Sequence, residues 1–390
     1  MTQQEPSASA CVVCTATTLC ELASYAQLPR VTSDCKPWPA GGKLNICQGC
    51  GTIQKSADAK WLDEIKRIYD AYQIYHLSGG SEQVIFSAAG QAVPRSHTLV
   101  DFVVSRIPRG ERGRLIDLGC GNGSALASFS RALPGWRFDA SELSDRALPI
   151  LKTIPGFETL YTGHIPHDAY DVVSMIHSLE HYVSPHDALT DAATLLAPAG
   201  TLFVEVPDAE TSPFDLLVAD HRTHFTRATL GMLAARAAME PDSLDNNLLP
   251  KENTLLAHRA PRPGEAPADP AAGFEIVTRT LAWLEDVVEA ATRLASRSSG
   301  IGIFGTSISA MWLYGALRDK VDFFVDEDRS RVGQEFEERP IRAPEEVPAG
   351  AAVFVPLANM TAERVIARLS GGNAEYLAPP PMAAAQPVRA

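Results

Sequence analysis

Short apolar runs alternate with amphipathic stretches through the middle of the chain. Runs at 115–118, 170–176 and 200–206 are mainly apolar, and 135–142 has a further strand pattern that ends in an acid. Such runs are typical of buried strands in a parallel sheet. Segments with helical apolar spacing lie between them. The alternation therefore predicts a Rossmann-like α/β domain over 101–260, with helices on both faces of the sheet.

A second, smaller α/β pattern follows a Pro/Ala-rich linker at 260–270. A helical pattern from about 274 to 296 precedes further alternating strand and helix patterns. These predict a C-terminal Rossmann-like domain over 273–378, whose role is either substrate binding or purely structural. The Pro/Ala-rich tail at 379–390 is expected to be disordered.

Residues 61–100 predict a helical lid or linker in front of the sheet. Two helical patterns flank a polar segment that contains Gly79 and Gly80, a poor composition for a core. Tyr69, Tyr72 and Tyr75 recur at a spacing of three, so they would share one face of a helix. Core packing with the hydroxyl groups in water is the alternative interpretation.

A glycine cluster follows the first strand of the sheet directly. Glycines let a backbone approach a ligand and adopt positive φ, and the helix that starts after them leaves amide groups free to face it. The G-x-G-x-G spacing, with an acid two residues earlier, differs from the G-x-G-x-x-G dinucleotide fingerprint. The residues of this loop predicted to bind a nucleotide cofactor are Asp117, Gly119, Cys120, Gly121, Asn122 and Gly123. Cys120 is expected to be a small filler there, not a nucleophile.

Polar residues also end the next two strands of this region. Glu142 lies about 20 residues past the glycines, where a carboxylate would bond two ribose hydroxyls. Because ligands of such sheets bind at the carboxyl ends of the strands, Leu143 and His177 are further candidates for the cofactor site.

Two C-x-x-C pairs, Cys11 with Cys14 and Cys47 with Cys50, lie in the first 60 residues. Four thiolates at this spacing predict a tetrahedral zinc module over 1–60, with a closed and therefore structural metal shell. Free core cysteines or a redox pair are the alternatives, and Cys20 and Cys35 are spare cysteines with poorer spacing.

Acid and histidine residues cluster in two segments that follow strands. Asp220, His221 and His224 form one cluster, and His177 and His181 lie in the other. An acid beside a histidine can hold its tautomer and raise its basicity. Solvent-facing polar residues after a helix cap are the alternative. A second metal site at His177 and His181, four residues apart, is the less favoured interpretation.

The composition limits the partners of the 390-residue chain. A net charge of −13 argues against a nucleic acid or an anionic membrane surface as the main target. No apolar run approaches the roughly 20 residues of a membrane-spanning helix, and the first residues lack the pattern of a signal peptide. These features predict a cytoplasmic protein with reduced cysteines, and the net charge does not exclude an anionic small-molecule substrate.

The D-x-G-x-G-x-G motif at 117–123 resembles the first motif of class I S-adenosylmethionine (SAM) methyltransferases. The order of zinc module, tyrosine segment, SAM domain and C-terminal Rossmann-like domain is similar to that of sugar C-methyltransferases, which act on nucleotide-linked ketosugars in deoxysugar biosynthesis. The resemblance implies SAM and structural Zn²⁺ as cofactors, and a nucleotide-linked sugar as substrate.

The resemblance also implies roles for particular residues. His221, oriented by Asp220, would be the base that forms an enolate, with His181 and Tyr75 donating to its oxygen. The chain departs from the family pattern at Asp220, where the family has Glu, and at His224, where the family has Tyr. The same residues would serve an O- or N-methyltransferase, and a non-catalytic binding protein is the alternative of another class.

Overall fold

The computed structural model describes residues 10–72, 84–86, 92–107, 110–167, 169–298, 300–369 and 374–383. These residues form an N-terminal module, a central region and a C-terminal region. The N-terminal elements are β1 (Leu19–Glu21), β2 (Arg30–Val31), β3 (Pro37–Trp38), β4 (Leu44–Cys47), β5 (Ile53–Lys55) and α1 (Ala59–Asp70). The central elements are β6 (Val84–Phe86), β7 (Ala92–Pro94), α2 (Arg95–Val104), β8 (Arg114–Leu118), α3 (Ser124–Ala132), β9 (Arg137–Ser141), α4 (Leu148–Leu151), β10 (Phe157–Tyr161), β11 (Tyr170–Ile176), α5 (Pro185–Leu195), β12 (Leu196–Pro207), β13 (Thr223–His224), α6 (Arg227–Arg236), β14 (Met239–Asp245) and β15 (Glu252–Arg259). The C-terminal elements are α7 (Pro270–Arg297), β16 (Ile301–Phe304), α8 (Ile308–Leu317), β17 (Phe323–Val325), β18 (Glu335–Phe336), β19 (Arg339–Arg342), β20 (Ala352–Phe354), α9 (Asn359–Leu369) and β21 (Glu375–Leu377).

The central sheet has the order β10-β9-β8-β11-β12-β15-β14. Strands β8 to β12 pair in parallel with one another, whereas β15 runs antiparallel to β12 and to β14. The middle strands are buried on both faces, and Ile116, Val173 and Val204 have no exposed surface. This burial explains the apolar runs of the sequence and confirms the predicted Rossmann-like α/β fold.

Helix starts follow local capping chemistry. In α5, Ser184 accepts a hydrogen bond from the amide of Asp187, with Pro185 in the first turn. In α7, the side chain of Asp269 accepts from the amide of Ala272, and Pro270 opens the helix. The helix predicted from about 274 therefore begins at Pro270, inside the segment predicted to be linker.

The N-terminal module is not separate from the rest of the chain. Strand β13 of the central region pairs antiparallel with β5, which completes the four-stranded sheet β1-β4-β5-β13. One apolar core contains Ile53 of the module, Leu216, Leu284 of α7 and Trp312 of α8. The three regions outlined by the sequence thus share a hydrophobic core.

The C-terminal sheet has the order β18-β19-β17-β16-β20-β21, with parallel pairing from β19 to β21. The chain beyond it was expected to be disordered from residue 379. Instead, the carbonyl of Pro380 accepts from Trp283 Nε1 at 2.8 Å, and the amide of Met382 donates to Asn359 Oδ1 at 3.1 Å. The predicted start of the disordered tail is therefore wrong, because these hydrogen bonds hold the chain against α7 and α9. Within the described ranges, no helix is long and apolar enough to cross a membrane.

Candidate active site and metal centre

The glycine loop lies between β8 and α3 in a conformation that favours glycine. Gly119, Gly121 and Gly123 have φ values of 78°, 56° and 80°. A Cβ atom on Gly119 would lie 2.6 Å from Ser178 Cβ, so no larger residue fits there without movement. Helix α3 begins directly after Gly123. The loop therefore has the glycine conformation and the helix N-terminus expected of a cofactor cradle, and cofactor binding by these residues stays a prediction.

The two predicted carboxylates lie at this cradle. Asp117 is buried and accepts from Ser174 Oγ at 2.7 Å, and burial, with a contribution from Glu142, raises the pKa of Asp117 to about 7. Glu142 Oε1 accepts from the amide of Gly121 at 2.8 Å, and Oε2 accepts from the amide of Leu143 at 2.9 Å. The side chain of Leu143 is 77% exposed, so an apolar surface lies open beside the carboxylate.

Three further residues predicted to bind the cofactor are Cys120, Asn122 and His177, and each has different hydrogen-bond partners or burial. Cys120 is buried, and burial raises the pKa of its thiol well above its usual range, which agrees with a filler and not a nucleophile. Asn122 Oδ1 accepts from Ser124 Oγ at 2.8 Å at the start of α3. His177 Nδ1 lies 3.2 Å from Glu180 Oε1, and His177 Nε2 contacts Arg95. A direct contact of His177 with the cofactor stays a prediction.

His221 is oriented by Asp215 and not by its neighbour Asp220. His221 Nδ1 lies 2.6 Å from Asp215 Oδ1, and His224 Nδ1 lies 2.6 Å from Asp215 Oδ2. Two tight turns, from Asp215 to Val218 and from Val218 to His221, fold the chain back on itself. Because the turns bring residues six positions apart together, the predicted orientation of His221 by Asp220 is wrong.

Asp220 belongs instead to the surroundings of His181. Its Oδ1 accepts from the amide of Ser33 at 2.9 Å, and its Oδ2 accepts from Ser33 Oγ. Asp220 Oδ2 also lies 3.4 Å from His181 Nδ1. Ser33 comes from the N-terminal module, so no local sequence pattern indicates that it meets Asp220.

The pKa values of His221 and His181 are shifted in opposite directions. Burial would lower the pKa of His221, but Asp215, Glu180 and Asp220 outweigh it and raise that pKa above its usual value. Burial and the neighbouring His221 lower the pKa of His181 to about 4. The ring centroids lie 4.6 Å apart and the planes are nearly perpendicular. The structure thus places a basic imidazole beside a neutral one.

The pKa of Asp215 shows how strongly it is tied to its histidines. Burial would raise the pKa of this carboxyl, but His224 and His221 outweigh burial and hold it well below its usual range. Asp215 therefore stays ionised and fixes Nδ1 of His221, which leaves Nε2 of His221 for proton transfer.

His224 is buried and hydrogen-bonded at both ring nitrogens. Its side chain has no exposed surface, and its Nε2 lies 3.0 Å from Lys55 Nζ while Nδ1 is bound to Asp215. Both ring nitrogens are therefore engaged inside the protein. A direct catalytic role of His224 stays a prediction, and the geometry favours support of Asp215 by this side chain.

Among the residues that the structure describes, Tyr69 is a tyrosine that contacts His181. Its hydroxyl lies 3.0 Å from His181 Nδ1. The predicted Tyr75 lies outside the described residues. The family resemblance pointed to Tyr75, whereas the contact of Tyr69 with His181 appears only in the tertiary structure.

The four predicted metal ligands converge in the N-terminal module. Cys11 Sγ lies 3.6 Å from Cys50 Sγ, Cys14 Sγ lies 3.5 Å from Cys47 Sγ, and all four sulfurs lie within 4.8 Å of one another. Zinc–sulfur bonds of about 2.3 Å in a tetrahedron place the sulfurs roughly 3.8 Å apart, so the group fits zinc. The amides of Cys14 and Gly49 donate to Cys11 and Cys47 sulfurs, each at 3.4 Å. All seven cysteines are free thiols, which gives no support to a disulfide.

Comparison with known proteins identifies the central region. Residues 95–243 match the sequence model of the family described as "Methyltransferase domain". Residues 95–243 are a methyltransferase domain. The prediction of a class I SAM-dependent methyltransferase fold is confirmed at the level of this domain.

Relatives of the methyltransferase domain include one curated protein. C-methyltransferase NovU of Streptomyces niveus is 25% identical over 183 residues, which cover 44% of this chain and 42% of NovU. The chain thus matches less than half the length of this relative. Among solved structures, mitomycin 7-O-methyltransferase MmcR is similar at 22% identity and a TM-score of 0.37, covering 42% of this chain and 54% of MmcR. CalO1, a methyltransferase in calicheamicin biosynthesis in its SAH-bound form, is 18% identical with a TM-score of 0.34 over 42% and 54% of the two chains.

Proposed function

We propose that the protein transfers a methyl group from SAM to a carbon atom next to a ketone in a small molecule, most simply a nucleotide-linked sugar. The observation that carries the proposal is the Asp215–His221 pair, because alkylation of such a carbon needs a base to remove its proton. The methyltransferase domain supplies the cofactor chemistry, and the similarity to a C-methyltransferase supports carbon as the acceptor.

The cradle fits SAM. Helix α3 starts directly after the glycine loop, Glu142 lies where ribose hydroxyls bind, and the exposed side chain of Leu143 offers an apolar surface for the adenine ring. Asp117 adds a second carboxyl group at the end of β8. When bound there, SAM supplies an activated methyl group on a sulfonium.

The chain's own residues would prepare the acceptor. His221 Nε2 would take the proton from the acceptor carbon. The electron pair of the C–H bond would stay on the acceptor as an enolate, whose carbon atom would then accept the methyl group. Asp215 stabilises the imidazolium that forms. His181, kept neutral by burial, and Tyr75 are the candidates for a hydrogen bond to the enolate oxygen.

The test is a methyl-transfer assay with labelled SAM and a panel of nucleotide-linked ketosugars. Label in a carbon-bound methyl group supports the proposal. Label on oxygen or nitrogen would favour an O- or N-methyltransferase, which is the second candidate. SAM binding without transfer to any acceptor would favour the non-catalytic interpretation.

Replacement of Gly119 by Val is expected to abolish SAM binding. The new side chain would collide with Ser178 and force a backbone with φ of 78° into strain. Isothermal calorimetry with SAM is the measurement. Gly163→Ala is the control, because a Cβ atom there meets nothing within 4 Å. Equal SAM affinity of the two variants would contradict the assignment of the cradle.

Zinc is proposed as the structural ion of the four-cysteine group. The purified protein is expected to contain about one zinc per chain. Cys47→Ser should lower the metal content and the melting temperature, because metal binding contributes to folding of the module, whereas Cys20→Ser should change neither. Metal analysis and thermal denaturation are the measurements. Wild-type protein free of metal, with paired cysteines, would refute this assignment.

A further inference from the structure

Strand β5 links the four-cysteine group to the loop that carries His221. At its start, Thr52 Oγ1 lies 3.0 Å from Cys50 Sγ. At its end, the amide of Lys55 donates to the carbonyl of Arg222 at 2.9 Å. The strand therefore contacts the metal ligands at one end and the His221 loop at the other.

The side chain of Lys55 contacts this loop at three points. Its Nζ donates to the carbonyl of Val218 at 2.5 Å, to the carbonyl of His221 at 2.9 Å, and to Nε2 of His224 at 3.0 Å. An ammonium group has three donors and no acceptor, so all its donors are used. One of the three contacts is the backbone of His221 itself. Another is the ring of His224, which binds Oδ2 of Asp215 while His221 binds Oδ1.

Packing alone does not explain a lysine at this position. Lys55 has no exposed surface, and lysine is rarely fully buried unless it is paired, because its charge loses hydration. An apolar side chain of similar length would fill the space without that loss. The group that an apolar residue would not provide is the ammonium that fixes residues 218, 221 and 224 relative to one another.

We propose that Lys55 is a positioning residue for the acceptor chemistry, which holds His221 in place and makes that placement depend on metal binding at the four cysteines. The catalytic part of this inference rests on the proposed function of His221 as the base. The part that concerns the position of the loop at 218–224 does not rest on that proposed function.

The catalytic part is tested with Lys55→Met, which keeps the length of the side chain and removes the ammonium. The zinc content and the SAM affinity should equal those of the wild type, while kcat for the acceptor should fall about 10²-fold, since small misplacements of a reacting group cost about this much. The control is Lys43→Met, a lysine of the same module whose side chain is 52% exposed. Equal kcat values for the two variants would overturn the catalytic role.

A spectroscopic signal separates positioning from stability. The proton on His221 Nδ1, hydrogen-bonded to Asp215, should give a downfield resonance in the wild type and in Lys43→Met. In Lys55→Met this resonance should shift or vanish even where the melting temperature is unchanged. An unaltered resonance in Lys55→Met would show that Lys55 does not position the base.

The dependence on metal is tested on the full-length wild-type protein, so it does not require the variant to fold. Hydrogen–deuterium exchange of residues 218–224 is measured before and after zinc removal by a chelator, and again after zinc is added back. Exchange there should rise on removal and recover with zinc, while exchange of the glycine loop at 117–123 stays constant. Unchanged exchange at 218–224 would refute the coupling. This result is independent of any acceptor, so it remains informative if no methyl transfer is found.

Discussion

His221→Ala is expected to lower kcat for methyl transfer by about 10²–10⁴-fold, the usual contribution of a general base. The affinity for SAM should not change, because His221 lies with His181 and Asp215 and not in the glycine loop. Steady-state kinetics and calorimetry are the measurements. The exposed His164→Ala is a matched control in the same domain and should behave as the wild type.

Proton exchange isolates the step that His221 performs. In deuterated water without SAM, the wild type should exchange the acceptor's proton next to the ketone, and His221→Ala should not. Exchange by the variant at the wild-type rate would move the base to His181, whose ring lies 4.6 Å away. Methyl transfer without exchange for any acceptor would favour transfer to oxygen or nitrogen.

Asp215→Asn is expected to have a far larger effect than Asp220→Asn, although Asp220 is the direct neighbour of His221 in the sequence. Both oxygens of Asp215 accept from histidine Nδ1–H groups at 2.6 Å, and an Asn offers only one acceptor. One histidine must therefore lose its partner. Loss of a comparable Asp–His bond costs on the order of 10⁴-fold in kcat in a hydrolytic triad, so a loss of at least about 10²-fold is expected here.

Asp220→Asn supplies the comparison for this prediction. Its Oδ1 accepts from the amide of Ser33 at 2.9 Å, a bond that an Asn oxygen can keep. We expect a small decrease in kcat and no change in SAM affinity. A larger loss in Asp220→Asn than in Asp215→Asn would contradict the pairing of His221 with Asp215.

The pH dependence of kcat/KM is an independent test of the pairing of His221 with Asp215. Asp215 raises the pKa of His221 against the effect of burial. Removal of its charge in Asp215→Asn should lower that pKa, so the rise of kcat/KM with pH should occur at a lower pH than in the wild type. A shift to higher pH would show that the titrating base is not held by Asp215.

The sequence determined the middle of the central sheet because the strands there are buried on both faces. Strand β11 covers Tyr170–Ile176, the same residues that its apolar run predicts. Strands β14 and β15 were not predicted, since β14 has a single buried residue and mixes Glu, Pro and Asp with apolar residues. Its pairing with β15 depends on the tertiary structure, whereas local composition gives no strand signal.

For the candidate sites, local spacing determined the groups whose members are held by short turns. The D-x-G-x-G-x-G loop and the two C-x-x-C pairs each fix their residues within a few positions, so the cofactor cradle and the four-sulfur group followed from the sequence. Only the tertiary structure decided which acid orients His221, because side chains of adjacent residues need not face each other while two turns bring Asp215 to it. Lys55 and Ser33 reach the site from the N-terminal module through pairing of β5 with β13 and through contacts more than 160 residues apart in the chain. Periodicity and spacing carry no information on such contacts, since they report local structure and not the packing of distant segments.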